Sequence, residues 1–190
     1  MIELLEIHDF LDGETLAALR AELGAAGGAD AKVTGSRPEA SVESMVRRTT
    51  RLAVPAETRE RVRGLLVARK GEIAAHFGVE LGECEEPQFL RYRTGDYFVA
   101  HQDGNTPLVH DDTRFRRVST VLFLSAPSEE PAPDTYGGGS LVFHGPFTGP
   151  VIRHRVAPSP GTLVAFRSET THEVTPVTHG ERYTIAAWFR

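Results

Sequence analysis

A chain of 190 residues, 40% hydrophobic and 25% charged, has the size and composition of one globular domain with a core of its own, and not those of a disordered segment. Its formal charge of −5 gives no basic face for a polyanion, so no nucleic-acid partner is expected, and no window approaches the roughly 20 apolar residues of a membrane span. The single cysteine, Cys84, excludes an intramolecular disulfide, and Met1 to Glu6 lack a basic stretch leading into an apolar run, so a cytoplasmic protein is expected.

Asp12 is a good N-cap, Leu16, Leu19 and Leu23 recur at helical spacing, and Gly24 can close that first helix. Residues 27 to 44 are rich in Gly, Ala and Ser and carry little periodicity, which predicts a mobile loop. Arg47, Arg48 and Arg51 follow, either as a solvated surface stretch or as a substrate-facing patch. A second helix is predicted from about Pro55 through Val62, Leu65, Leu66 and Ile73 to near Phe77.

After Pro87 the pattern changes to short apolar or alternating runs between turn residues: Gln88 to Tyr92, Tyr97 to His101, Val118 to Ser125, Ser140 to Phe143, Val151 to Val156, Thr162 to Phe166 and Arg182 to Phe189. Residues Ser125 to Gly139 read as a long loop. Several short strands punctuated by Gly and Pro predict a sandwich or open barrel. The chain is therefore expected to be one α+β domain, helical over about 1–86 and sheet over about 87–190, with the helices buttressing one sheet.

Residues two apart on a strand face the same way, so His101 and Asp103 can present an imidazole and a carboxylate to one point. Alone, H-x-D is a weak signal that reads sooner as a surface His beside a surface Asp, and a third ligand is needed. Among the eight histidines, His172 stands in the sharpest context, Thr171-His172-Glu173-Val174-Thr175-Pro176-Val177. Two neutral imidazoles and one carboxylate leave three octahedral positions open, the arrangement of non-haem Fe(II) oxygenases, whereas a closed structural zinc site would need cysteines this chain lacks. A chelating 2-oxo acid would fill two of those positions, leave one for O2, and require a cation for its far carboxylate. Arg182, ten residues after His172, offers a planar fork for it; without that spacing it would read as an edge-strand surface charge. Thr184 shares its side of the strand and could add a hydroxyl, and Trp188 would wall the pocket.

The segment Tyr92-Arg93-Thr94-Gly95-Asp96-Tyr97-Phe98-Val99-Ala100-His101-Gln102-Asp103 resembles the Y-x-x-G-x-x-x-x-x-H-x-D entry of the prolyl 4-hydroxylase-like 2-oxoglutarate/Fe(II) dioxygenases. Four further blocks resemble that family in order: Arg117 to Leu124, Gly138-Gly139-Ser140-Leu141, Pro160 to Phe166, and His172 to Tyr183. The resemblance covers about residues 87 to 190. It implies a double-stranded β-helix, the jelly roll of cupins, with iron held by His101, Asp103 and His172. It also implies that Arg182 captures the 5-carboxylate of 2-oxoglutarate and that Tyr92 hydrogen-bonds the co-substrate. Phe123 and Ser125 depart from it, standing where the family often has Tyr and Asn.

The expected function is thus hydroxylation of a C–H bond, with Fe(II), 2-oxoglutarate and O2 as cofactors and ascorbate as a reductant. Asp103 argues against halogenation, in which halide takes the place of the carboxylate. The resemblance implies a prolyl residue in a peptide or protein as substrate, with a free amino acid or small metabolite as the alternative; a non-oxidative cupin-like metalloprotein or a silent binding module is the reading from a different class. Specificity is expected in residues 27 to 51, 104 to 115 and 125 to 139, and the insert Gly104 to Phe115 is expected to act as a substrate-side lid. His110, His144, His154 and His179 are expected to be surface or core residues, and His8 and His76 receive no role.

Overall fold

The protein is described here by a computed structural model covering residues 2–30, 46–105, 111–145 and 152–190. Its elements are β1 (Leu4–Ile7), α1 (Gly13–Ala25), β2 (Gly28–Asp30), β3 (Arg47–Arg48), β4 (Thr50–Leu52), α2 (Ala56–Ala68), α3 (Lys70–Phe77), β5 (Gln88–Tyr92) and β6 (Tyr97–His101). A 3-10 turn (Asp112–Phe115) precedes β7 (Val118–Phe123), β8 (Ala126–Pro127), β9 (Thr135–Gly138), β10 (Leu141–His144) and β11 (Arg153–Val156). The chain ends with β12 (Leu163–Arg167), β13 (His172–Val174), β14 (Val177–Gly180) and β15 (Arg182–Phe189).

Asp12 caps α1 by accepting a hydrogen bond from the Thr15 backbone N–H at 2.7 Å. The helix does not stop at Gly24 but runs to Ala25, with extended Ala26 ending it. The second predicted helix is two, because Arg69, at φ −97° and ψ 0°, breaks the helical path between α2 and α3; Gly78, in the left-handed region at φ 59°, ends α3.

Seven strands form one sheet in the order β1-β12-β7-β15-β5-β4-β2, five form a second in the order β11-β10-β13-β6-β3, and β14-β9-β8 make a small third sheet. The period of two in the strands assigns each residue of the large sheet to a layer. Phe89, Leu122, Leu163, Ala165, Ile185 and Ala187 pack toward Leu19, Leu23, Val62, Leu66, Ile73 and Phe77 of the helices. Leu90, Tyr92, Phe123, Val164 and Phe166 turn the other way, onto Leu141, Phe143 and Val174 of the second sheet. The run Leu163 to Phe166 is buried at every position because both faces of its strand are covered. Two facing sheets with helices behind one of them make the expected double-stranded β-helix.

Strands are also present where loops or helices were predicted. Among the described residues of the first 86 there are four strands besides the helices, and β1 extends the large sheet by pairing with β12. Gly28–Asp30, the start of the predicted 27–44 loop, pairs with β4; residues 31–45 lie outside the described residues. The predicted loop Ser125 to Gly139 contains β8 and β9, which gain their backbone partners from each other and from β14. Cys84 forms an isolated bridge with Phe189, which closes the C-terminal strand against the segment between α3 and β5.

Candidate active site

His101 ends β6 and His172 begins β13, and the two residues are direct partners across the antiparallel pair. Asp103 lies beyond the end of β6, so strand alternation is not what aims it. The backbone N–H groups of Asp103 and Gly104 donate to Ser168 O at 2.9 and 3.2 Å, and this turns the chain back toward the histidines. The ligand atoms of His101, Asp103 and His172 all lie within 4.8 Å of one another. One carboxylate oxygen of Asp103 is 3.4 Å from His101 Nε2 and the other 3.6 Å from His172 Nε2.

Each imidazole has its tautomer assigned by a backbone carbonyl two residues earlier. His101 Nδ1 lies 2.8 Å from Val99 O and His172 Nδ1 2.9 Å from Thr170 O, so both Nδ1 atoms donate and Nε2 is the nitrogen each ring turns to the cluster. Burial, helped by His101, lowers the pKa of His172 to about 4 against the pull of Asp103, so it is neutral near pH 7. Burial would raise Asp103, but His172 and His101 more than offset it and hold the carboxyl well below the usual carboxylate range. Trp188 Nε1 is near enough to favour that charge but makes no hydrogen bond of acceptable geometry.

The site is seated on aromatic rings. His172 packs on Phe166 and Phe143, with centroids 4.7 and 6.0 Å away, and His101 stacks on Phe98 at 3.5 Å with 16° between planes. Arg47 places its guanidinium carbon 4.7 Å from the Phe98 ring centroid, whereas Arg48 and Arg51 pair with Asp96 and Glu86. The arginine cluster is thus divided between surface ion pairs and one cation at the edge of the histidine site.

Arg182 is 1% exposed on a strand flanked by β5 and β7, not at an edge. Its Nη1 donates to Thr184 Oγ1 at 3.3 Å, and the Tyr92 and Phe123 rings flank its Cζ at 5.0 and 5.1 Å. Nε and Nη2 are buried without any hydrogen-bond partner. Burying a guanidinium with unspent donors is costly, so this cradle fits an anion with two oxygens, a carboxylate.

Sequence reasoning missed Phe98, whose spacing from His101 gives no sign of their stacking, and it missed Arg116. Arg116 is buried, lies 3.9 Å over the Trp188 ring, donates to Asp103 O at 3.2 Å and holds Glu85 with Nε and Nη2 at 3.0 and 2.7 Å. Glu85 also accepts from Arg190 Nε at 3.1 Å. The position beside Arg117 in a matching block was the only sequence signal for this brace.

His144 approaches Glu173 at 3.3 Å instead of the cluster, His154 is exposed on β11, and His179 sits on β14. His110 and the middle of the 104–115 insert, residues 106–110, lie outside the described residues. The ends of that insert are fastened. Asn105 bridges Glu169 and Arg117, and a Cβ at Gly104 would stand 2.0 Å from Thr113 O, so only glycine fits there.

Comparison with known proteins agrees with this geometry. The family profile described as the 2OG-Fe(II) oxygenase superfamily matches residues 87–190. A PKHD-type hydroxylase of Nitrosomonas europaea is 32% identical over 185 residues, covering 94% of this chain and 74% of that protein. The structure of a Pseudomonas putida prolyl-4-hydroxylase superposes with a TM-score of 0.73 at 26% identity, covering 100% of this chain and 94% of that one. A Trichoplax adhaerens prolyl hydroxylase in complex with a hypoxia inducible factor peptide fragment shares the fold, with a TM-score of 0.74 at 15% identity over 100% and 84% of the two chains.

Proposed function

Because the chain belongs to the 2OG-Fe(II) oxygenase superfamily and is an oxidoreductase of the hydroxylase kind, we propose that His101, Asp103 and His172 hold its Fe(II) and that Arg182, with Thr184, takes the distal carboxylate of 2-oxoglutarate. The convergence of the three ligand atoms, with both Nδ1 atoms already spent on carbonyls, carries this reading. Bound Fe(II), with 2-oxoglutarate and O2, supplies the oxidising power that converts C–H to C–OH while 2-oxoglutarate is split to succinate and CO2. The chain's own residues prepare for that chemistry. Val99 and Thr170 keep the imidazoles oriented with Nδ1 turned to a carbonyl and Nε2 toward the ligand cluster, burial keeps His172 neutral, and Asp103 stays ionised. Arg182 fixes the co-substrate by its far end, with the rings of Tyr92 and Phe123 walling the guanidinium from water.

The substrate we propose is a prolyl residue in a peptide or protein. The Pseudomonas putida prolyl-4-hydroxylase supports this at 26% identity across the whole chain. We place the enzyme in the cytoplasm, where a lone buried thiol such as Cys84 stays reduced; no helix among the described residues is long and apolar enough to cross a membrane.

The test is consumption of 2-oxoglutarate with Fe(II), and ascorbate as reductant, screened over prolyl peptides, free proline and other amino acids, with mass spectrometry for one added oxygen. A prolyl peptide should gain that oxygen, and His172→Ala should abolish turnover. Oxygen gained by a free amino acid and by no peptide would overturn the prolyl assignment, and full activity in His172→Ala would remove the third ligand.

A further inference from the structure

The large buried side chains include one hydroxyl that the reading above does not use. Tyr136, on β9, is 1% exposed, and its Oη is buried without a hydrogen-bond partner. A tyrosine hydroxyl enclosed in this way ordinarily finds a partner. Arg182 has the same deficit at Nε and Nη2, and the two residues are neighbours. A methyl built on Gly139 would stand 3.0 Å from Arg182 Cδ and 3.2 Å from Tyr136 Cδ2, so the tyrosine ring and the arginine stem both border that glycine. The backbone explains the approach. Tyr136 pairs with Gly180, two residues before Arg182, and Gly138 and Gly139 adopt φ of 66° and 54°, which folds the chain past this point.

Arginine only donates, and the hydroxyl has not become its acceptor, so a group that satisfies both must bring its own oxygens. A carboxylate has two. Among the aromatic rings already placed beside the guanidinium, Phe123 has no hydroxyl to contribute.

We propose that Tyr136 is a co-substrate-binding residue, whose buried hydroxyl donates to the same distal carboxylate that Arg182 receives. The assignment rests on the 2-oxoglutarate reading above and adds to it a contact delivered from the small sheet.

The experiment is calorimetric titration of the full chain, loaded with Mn(II), with 2-oxoglutarate and separately with 2-oxopentanoate, which keeps the chelating end and lacks the distal carboxylate. Tyr136→Phe keeps the ring and removes the donor. It should weaken 2-oxoglutarate roughly tenfold to a hundredfold, the worth of one hydrogen bond to a charged group, and leave 2-oxopentanoate and Mn(II) unchanged. The ratio of the two keto-acid affinities is the readout, because partial misfolding would lower both alike. An unchanged ratio in Tyr136→Phe would remove Tyr136 from the site. Intact protein that bound 2-oxopentanoate as tightly as 2-oxoglutarate would overturn the distal-carboxylate reading itself, and Tyr136 with it.

Discussion

At the scale of single residues the site depends on keeping His172 neutral while it is enclosed. An imidazole ordinarily takes a proton near 6.5, but in the folded chain burial and the His101 ring lower that to about 4. Between those values the unfolded chain binds more protons than the folded one. The stabilisation is therefore fully present above pH 6.5 and is lost as pH falls toward about 4. Asp103 does not offset this, since its folded-state pKa is lowered and its own loss comes at more acidic pH. Metal-free protein should lose on the order of 1–3 kcal/mol across that window, read from urea midpoints, and His172→Asn should flatten the dependence. An equal pH slope in the two proteins would show that His172 takes up its proton at the ordinary value in the folded state.

At the scale of elements, glycines separate positions fixed by neighbours from positions that are free. Gly180 has φ 70°, and a Cβ there would stand 2.0 Å from Thr135 O, so Gly180→Ala should cost about 1–3 kcal/mol by forcing β14 from β9. Gly64, exposed in α2 with nothing within 4 Å of its Cβ position, should behave oppositely; Gly64→Ala is expected to add about 0.5–1 kcal/mol. Denaturation midpoints of the two variants test both signs. The same contrast explains what the sequence made legible. Gln88 to Tyr92, Tyr97 to His101 and Arg182 to Phe189 carry long apolar or alternating runs of their own, and their bounds were readable. Thr135–Gly138 is half glycine and becomes a strand only because β14 and β8 supply partners, so it read as part of a long loop. His101, Asp103, His172, Arg182 and Thr184 could be named from their chemistry and spacing, Tyr92 only from the family resemblance, and the structure brings His101, Asp103 and His172 together. The reason Asp103 points inward could not be read, because it depends on Ser168, 65 positions along. Arg116 was equally illegible, since its partners Glu85, Asp103 and Trp188 meet only in the folded chain.

At the scale of the whole molecule, the helices, the large sheet and the loop bearing Asp103 are joined through the C-terminal segment. Phe189 meets Cys84, Arg190 shares Glu85 with Arg116, and Arg116 reaches the Asp103 carbonyl. Cys84 is the one thiol in the chain, 2% exposed, with its pKa raised to about 11 by burial. It therefore serves as a built-in clock. A thiol-reactive dye at pH 8 can modify it only after β15 has parted from the segment before β5, so labelling in native buffer should be slow and single-phased, at the rate at which the whole chain opens. Mn(II) with 2-oxoglutarate should slow that clock by the factor set by their binding, because the opened chain holds neither. Rapid labelling of the native protein, or a rate indifferent to both ligands, would mean that the C-terminal strand opens independently of the site it frames.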